Sequence, residues 1–233
     1  MVRDTIVKLL VKFGLYKPAV ELINKIDFEI QARRMKKHGL ELMADADKAF
    51  EEAGLLSFPV YGSLLGAYRE HGFIPYDPDI DLAIIDDGNL PDYRVSLAKY
   101  GFKLIKEIYF KDDGAVIEET YSYGKLHLDL FRMFPKGDSL FCYCAQRHET
   151  KEWKEANATD GFPCISCYVP KCEFHRADFL GLKIYMPDLT EKWLSNIYSD
   201  SFMTPIKNFN PGDVVTTRRK IDRRCYRRLE FDH

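Results

Sequence analysis

Apolar positions along the chain change their period twice, and the changes divide it into three segments. Up to Gly54, the residues Leu22, Ile26, Ile30, Leu40, Met43 and Phe50 recur near helical spacing. This predicts an N-terminal helical segment, residues 1–54, packed on the rest of the protein. Within it, Ile6–Phe13 reads as a short amphipathic helix with Lys8 and Lys12 among its apolar residues, ended by Gly14. Pro18 suits the first turn of a second helix, and Gly39 is a candidate break in it. A packing helix laid on a sheet is the plain reading of this segment, and a membrane-surface role is the alternative.

Residues 55–86 read as strand, turn, helix, strand. A helix follows over Pro91–Tyr100, ended by Gly101. From Phe102 the period drops to two, giving strands over Phe102–Phe110, Val116–Tyr121, Leu126–Phe134 and Leu140–Gln146. Asp112-Asp113-Gly114 and Lys136-Gly137-Asp138 supply hairpin turns between them. Residues 147–172 are polar and irregular. A strand near Lys183–Met186 and a helix over Thr190–Tyr198 close the globular part, residues 55–205, and 206–233 form a basic tail. The predicted class is α+β, a mixed sheet core with flanking helices.

One stretch concentrates the chemistry. Asp79 and Asp81 alternate with Ile80, Leu82 and Ile84, so the two carboxylates share one face of a strand while the apolar residues occupy the other. Neighbouring carboxylates in an apolar strand repel each other. A hard divalent cation, Mg²⁺ or Mn²⁺, removes that repulsion, being held by one or two carboxylates plus substrate phosphates. Asp129, in the alternating run Leu126–Phe131, joins them if its strand lies alongside. It would then complete a triad of carboxylates facing one cleft. Gly62-Ser63 falls where a strand turns into a helix, so the backbone can approach a phosphate closely. Ser63 either caps that helix or binds a phosphate oxygen. Arg69, two turns on, suits bidentate phosphate contact or an ion pair with Glu70. His127 shares the Asp129 face, and His71 sits in the breaker segment; a structural role serves either equally well.

Composition narrows the field. With 46% hydrophobic and 30% charged residues, the 233-residue chain reads as globular rather than disordered. A formal net charge of -2 argues against nucleic acid as a general partner. No apolar run is long enough to span a membrane, and the N-terminus does not read as a signal peptide. Six cysteines without a secretion signal point to a reducing, cytoplasmic location. Cys142 and Cys144 with Cys164 and Cys167 offer four thiolates for a structural Zn²⁺, with buried free thiols as the alternative. In the tail, Arg219, Arg223 and Arg227 would line one helical face. That face could meet a substrate phosphate, nucleic acid or an anionic membrane, the last being a peripheral contact at its inner face.

The run GSLLGAYREHGFIPYDPDIDL resembles the signature of LicD-type phosphotransferases, the group that includes fukutin-related protein. HLDLF resembles that family's third-aspartate strand, and Gly181–Pro205 its C-terminal block. The resemblance implies a nucleotidyltransferase-type fold over 55–205 and a divalent metal. It implies transfer of a substituted phosphate, phosphocholine or phospho-alditol, from a CDP-linked donor to a glycan or lipid-linked glycan hydroxyl. It assigns metal and catalysis to Asp79, Asp81 and Asp129, and donor phosphate to Gly62, Ser63 and Arg69. Departures are Ser63 for Thr, Tyr76 for Trp, Pro78 for an acidic residue, and Tyr198-Ser199 where Tyr-Gly is usual. Two other readings remain: nucleotidyl transfer to a small acceptor, and a non-catalytic zinc-stapled module that binds anions or membranes.

Overall fold

The structure, a computed structural model, describes residues 16–205 and 218–231. The predicted helix over Ile6–Phe13 lies outside them. Helix α1, Tyr16–Glu52, runs 37 residues without a break, a length of about 55 Å. Gly39 does not interrupt it. A Cβ there would lie 2.5 Å from Met35 Sδ and 3.1 Å from the Phe73 ring, so the glycine lets an aromatic ring close on the helix. Only the C-terminal half of α1 packs on the core, through Met35, Leu42, Met43, Ala46, Ala49 and Phe50.

After α1 come β1 (Ser57–Pro59), α2 (Tyr61–Leu65), a π-helical turn (Gly66–Glu70) and β2 (Ile80–Ile85). Helix α3 (Tyr93–Lys99) leads into the strands β3 (Phe102–Phe110), β4 (Val116–Tyr123), β5 (Leu126–Lys136) and β6 (Ser139–Ala145). A short helix α4 (Trp153–Ala158) precedes β7 (Phe162–Pro170). The hairpin β8 (Phe174–Phe179) and β9 (Leu182–Pro187), helix α5 (Thr190–Tyr198) and strand β10 (Arg218–Arg228) complete the described chain. The mixed α+β class read from the sequence is what the structure shows.

Eight strands form one sheet in the order β1-β2-β5-β4-β3-β10-β7-β6. The C-terminal part of β5 also pairs with β6, so the sheet curls back on itself. The pairing that matters most is β2 against β5, parallel, with Ile80 opposite Leu128 and Asp81 opposite Asp129. Ile80, Leu82, Leu128 and Leu130 then bury on one face with α1 and α3. The aspartates are left together on the other.

Two segments differ from the sequence expectation. Residues 147–172 are not irregular throughout, because β7 runs through them between β10 and β6. Buried on both faces, β7 shows no polar alternation, and a proline at each end disguises it further. The basic stretch of the tail is not a helical face either. Arg218–Arg228 is β10, paired antiparallel with β3 on one side and β7 on the other. Cys225 is fully buried there with Ile108, Phe110 and Phe162. Three arginines lay their guanidinium groups on rings: Arg223 on Phe110, Arg219 on Tyr168 and Arg227 on Phe162. Arginine stems and flat guanidinium groups cover apolar surface, so a basic sequence here makes a sheet strand.

Candidate functional site

The site is built where α2 meets the C-terminal end of β1 and the start of β2. Asp81 and Asp129 are side by side through the β2–β5 register. Asp77 and Asp79 enter from the loop before β2, their carboxyl groups hydrogen-bonded to one another. Burial pushes Asp77 up to about 6. Burial, then Asp129 and Asp77, pushes Asp79 up to about 7. Asp81 is held well above the usual carboxylate range by burial, then by Asp79, Asp129 and Asp77. Four carboxylates thus converge with too few cations among them.

Gly62 lies against this group. A Cβ at Gly62 would clash with the Asp77 carboxylate and sit 3.5 Å from Asp81 Oδ2. The glycine therefore serves close approach to carboxylates in the first place. Ser63 is buried, and its Oγ accepts a 2.9 Å hydrogen bond from the Asp81 backbone N–H. It ties α2 to β2 and keeps its own hydroxyl proton to donate. Arg69 is only 8% exposed, paired with Glu70 at 2.8 Å and donating to the Phe202 carbonyl at 3.0 Å. The ion pair with Glu70 that the sequence offered for Arg69 is formed. Tyr198, at the end of α5, stands in the field of Asp81, Asp77 and Arg69.

Residues the sequence reading missed surround Asp129. Thr120 Oγ1 donates to Asp129 Oδ1. Lys106 Nζ lies 2.7 Å from Glu118 and 3.9 Å from Asp129. Burial pulls the Lys106 ammonium down, but Glu118 and Asp129 outweigh it and hold the group charged. The pairings of Lys106 with Thr120 and Thr120 with Asp129 across three strands create this group. No local motif announces it. Asp77 was visible only as the first acid of the run Asp77–Asp81. His127 is exposed beside Asp129 on β5, and His71 ends the π-helical turn in a left-handed conformation.

The four-thiol zinc site is not assembled. Cys142 faces Cys167 across β6 and β7, while Cys144 faces Ile165 and Cys164 faces Ala145. Cys164 therefore turns to the opposite side, into the cluster with Cys225. The other three gather at Sγ–Sγ distances of 3.9 Å and 4.0 Å around the Tyr61 hydroxyl. Hydrogen bonds to Cys144 and Cys167, then burial, hold the Cys142 thiol well above its usual range.

The aspartates have the chemistry for a hard cation. They are all-oxygen donors, and their repulsion is what a divalent ion relieves. Among the described residues, no three His, Cys, Asp or Glu side chains already stand in finished ligating geometry. A cation would have to draw the carboxylates together.

Comparison with known proteins defines the class. Residues 54–187 match the family described as LicD/FKTN/FKRP, nucleotidyltransferase domain. The matched region contains the acidic cluster, the Gly62-Ser63 turn and the third-aspartate strand, and the chain belongs to this family. Among individual proteins, it is 24% identical over 184 residues to the ribitol-5-phosphate transferase FKTN of Mus musculus, covering 79% of this chain and 37% of that protein. The human FKTN is 24% identical over 189 residues, with the same coverage. An uncharacterized protein, T07A5.1 of Caenorhabditis elegans, is 31% identical over 101 residues, covering 42% of this chain and 27% of that protein. The chain thus spans little more than a third of the length of the FKTN proteins it matches.

Proposed function

We propose that this chain is a metal-dependent phosphotransferase. It would move a substituted phosphate of the phospho-alditol or phosphocholine type from a CDP-linked donor to a glycan or lipid-linked glycan hydroxyl. The observation that carries this reading is the convergence of Asp77, Asp79, Asp81 and Asp129 beside Gly62. Family membership supports the class of reaction, and the FKTN likeness supports an alditol phosphate as the group moved. We take the catalytic unit to be residues 55–205 together with β10, which completes the sheet behind the site. Six free thiols favour a reducing, cytoplasmic setting.

Asp79 and Asp81 would hold Mg²⁺ or Mn²⁺, with Asp77 and Asp129 in reach. Such an ion supplies neutralisation of the diphosphate charge. Asp129 would take the acceptor proton, with Thr120 donating to its Oδ1 and the Lys106 ammonium 3.9 Å away. Gly62, whose missing side chain lets the carboxylates close in, would present its backbone to the donor phosphates, and the Ser63 hydroxyl proton would meet one of them. Arg69, already engaged, fixes the 199–203 segment over the site and offers the donor phosphates charge at longer range.

An open groove of about 1040 Å³ runs past Arg69 between the π-helical turn, the β8–β9 hairpin and α5. Tyr68, Phe202, His175, Asp188 and Glu191 line it. Carboxylates and aromatic faces suit sugar hydroxyls and ring faces, so we assign the acceptor to this groove.

The test is CMP release from a panel of CDP-linked donors with Mg²⁺ or Mn²⁺ and a chelated control. Chelator-sensitive CMP from one donor is the expected result. Labelled cytidine appearing on the acceptor would assign nucleotidyl transfer instead, the reaction in the family domain's own description.

A further inference from the structure

The N-terminal half of α1 carries an apolar face that nothing in the described structure covers. Leu22, Ile23, Ile26 and Ile30 are 59%, 56%, 47% and 37% exposed. Leu22, Ile26 and Ile30 stand at i, i+4 and i+8 and form one row along the helix, with Ile23 flanking it. The row is not the core stripe running past the end of the sheet. Ile26, Ile30, Arg33 and Lys37 each precede Met35, Gly39, Leu42 and Ala46 by nine residues, which is two and a half helical turns. Those four partners face the core. The exposed row therefore points directly away from it.

The same outward row continues into Arg33 and Lys37, with Arg34 beside them. The Arg33 side chain is 82% exposed, and its contact with Glu29 is 4.0 Å long, a surface pair of little strength. The charge is segregated along the chain as well. The first 37 positions hold nine lysines and arginines against four acidic residues, although the whole chain has a formal net charge of -2. An apolar row continued by basic residues offers the two kinds of contact that an anionic membrane interface takes. Apolar side chains enter the acyl boundary there, and basic groups meet anionic headgroups.

We propose that α1 docks the protein onto an anionic lipid surface through Leu22, Ile23, Ile26 and Ile30, with Arg33 and Lys37 on the headgroups. A second copy of this chain packed in parallel fits the row less well, because Arg33, Arg34 and Lys37 of one helix would confront the same residues of the other. No helix among the described residues is long and apolar enough to cross a membrane, and an interfacial helix needs no crossing. The docking does not depend on the reaction proposed above.

Flotation of the full chain with phosphatidylglycerol-containing vesicles, against pure phosphatidylcholine vesicles, tests this. The expected result is binding to the anionic vesicles only, weakened at high salt. The triple variant Ile23→Glu/Ile26→Glu/Ile30→Glu should lower partition at least about tenfold. Arg33→Ala/Lys37→Ala should lower it several-fold. All these side chains are exposed, so melting temperature and CMP release with a water-soluble acceptor should not change. Failure of the native chain to bind anionic vesicles would overturn the proposal, as would undiminished binding by the triple variant. A concentration-dependent dimer that the triple variant dissolves would assign the face to a second copy instead.

Discussion

The β3–β4–β5 sheet buries carboxylates on both of its faces and treats them in opposite ways. On the face toward α3, Glu107 and Glu119 are directly opposed in register and almost fully buried. Arg94 reaches both, Arg228 pairs with Glu107 at 2.6 Å, and Arg132 lies 3.8 Å from Glu119 and 3.3 Å from Asp86. Tyr93 donates to Glu119 as well. Three guanidinium groups answer three carboxylates. On the other face, Asp77, Asp79, Asp81, Asp129 and Glu118 gather, and among the described residues Lys106 pairs with Glu118 and approaches Asp129. A buried charge network that is compensated holds strands together. One left short of cations holds its carboxyl groups above their usual range, a pattern that clusters at functional sites.

Substitutions should separate the faces. Asp81→Asn or Asp129→Asn should lower turnover by on the order of a hundredfold or more with the melting temperature kept or raised. Glu119→Gln should leave turnover per folded molecule near native but cost about 3–5 kcal/mol of stability, since it strands buried arginine charge. Urea melts alongside CMP release read both. Equal effects of the two changes on stability would break the comparison.

Titration should separate them too. Burial pushes Asp79 up to about 7 and Asp77 up to about 6, against about 3.8 for a free aspartate. The folded state then keeps protons that the unfolded chain releases. Their contribution to stability is fully present below about pH 4 and is lost as pH rises toward 7, by at most about 4 kcal/mol for Asp79. The metal-free protein should melt lower at pH 8 than at pH 5. Mg²⁺ or Mn²⁺ should close most of that gap, and Asp79→Asn should shrink it without metal.

The smallest effect lies at the edge of the site. Ser199 adopts φ 77 and ψ 172, a region reached almost only by glycine, and it stands where the resembled family has Tyr-Gly. Ser199→Gly should stabilise the protein by about 1 kcal/mol, measured by thermal melt, with turnover little changed.

Much of this was readable in the sequence. Period-two alternation located β3 to β6 and set Asp81 on the face opposite Ile80 and Leu82, whereas Asp79, expected on the same strand, lies in the bend just before β2. What could not be read depends on partners distant in the chain. Lys106, Thr120 and Asp129 meet only through the register of three strands. Cys164 leaves the expected thiol set because the pairing of Ala145 with Cys164 turns it away. Strand β10 was hidden because its inward positions include arginines, whose flat groups stack on Phe110 and Phe162 where aliphatic side chains would be expected. The outward row on α1 had the right helical period, but its period does not say which way it faces.

The central claim is that the uncompensated carboxylates are a divalent-cation centre. Mn²⁺ binding followed by electron paramagnetic resonance tests it most directly, on the native chain, Asp79→Asn/Asp81→Asn and Glu119→Gln. The account predicts Mn²⁺ bound by the native chain and by Glu119→Gln, and lost in the double aspartate variant. Equal binding by the native chain and the double aspartate variant, or none by the native chain, would contradict it.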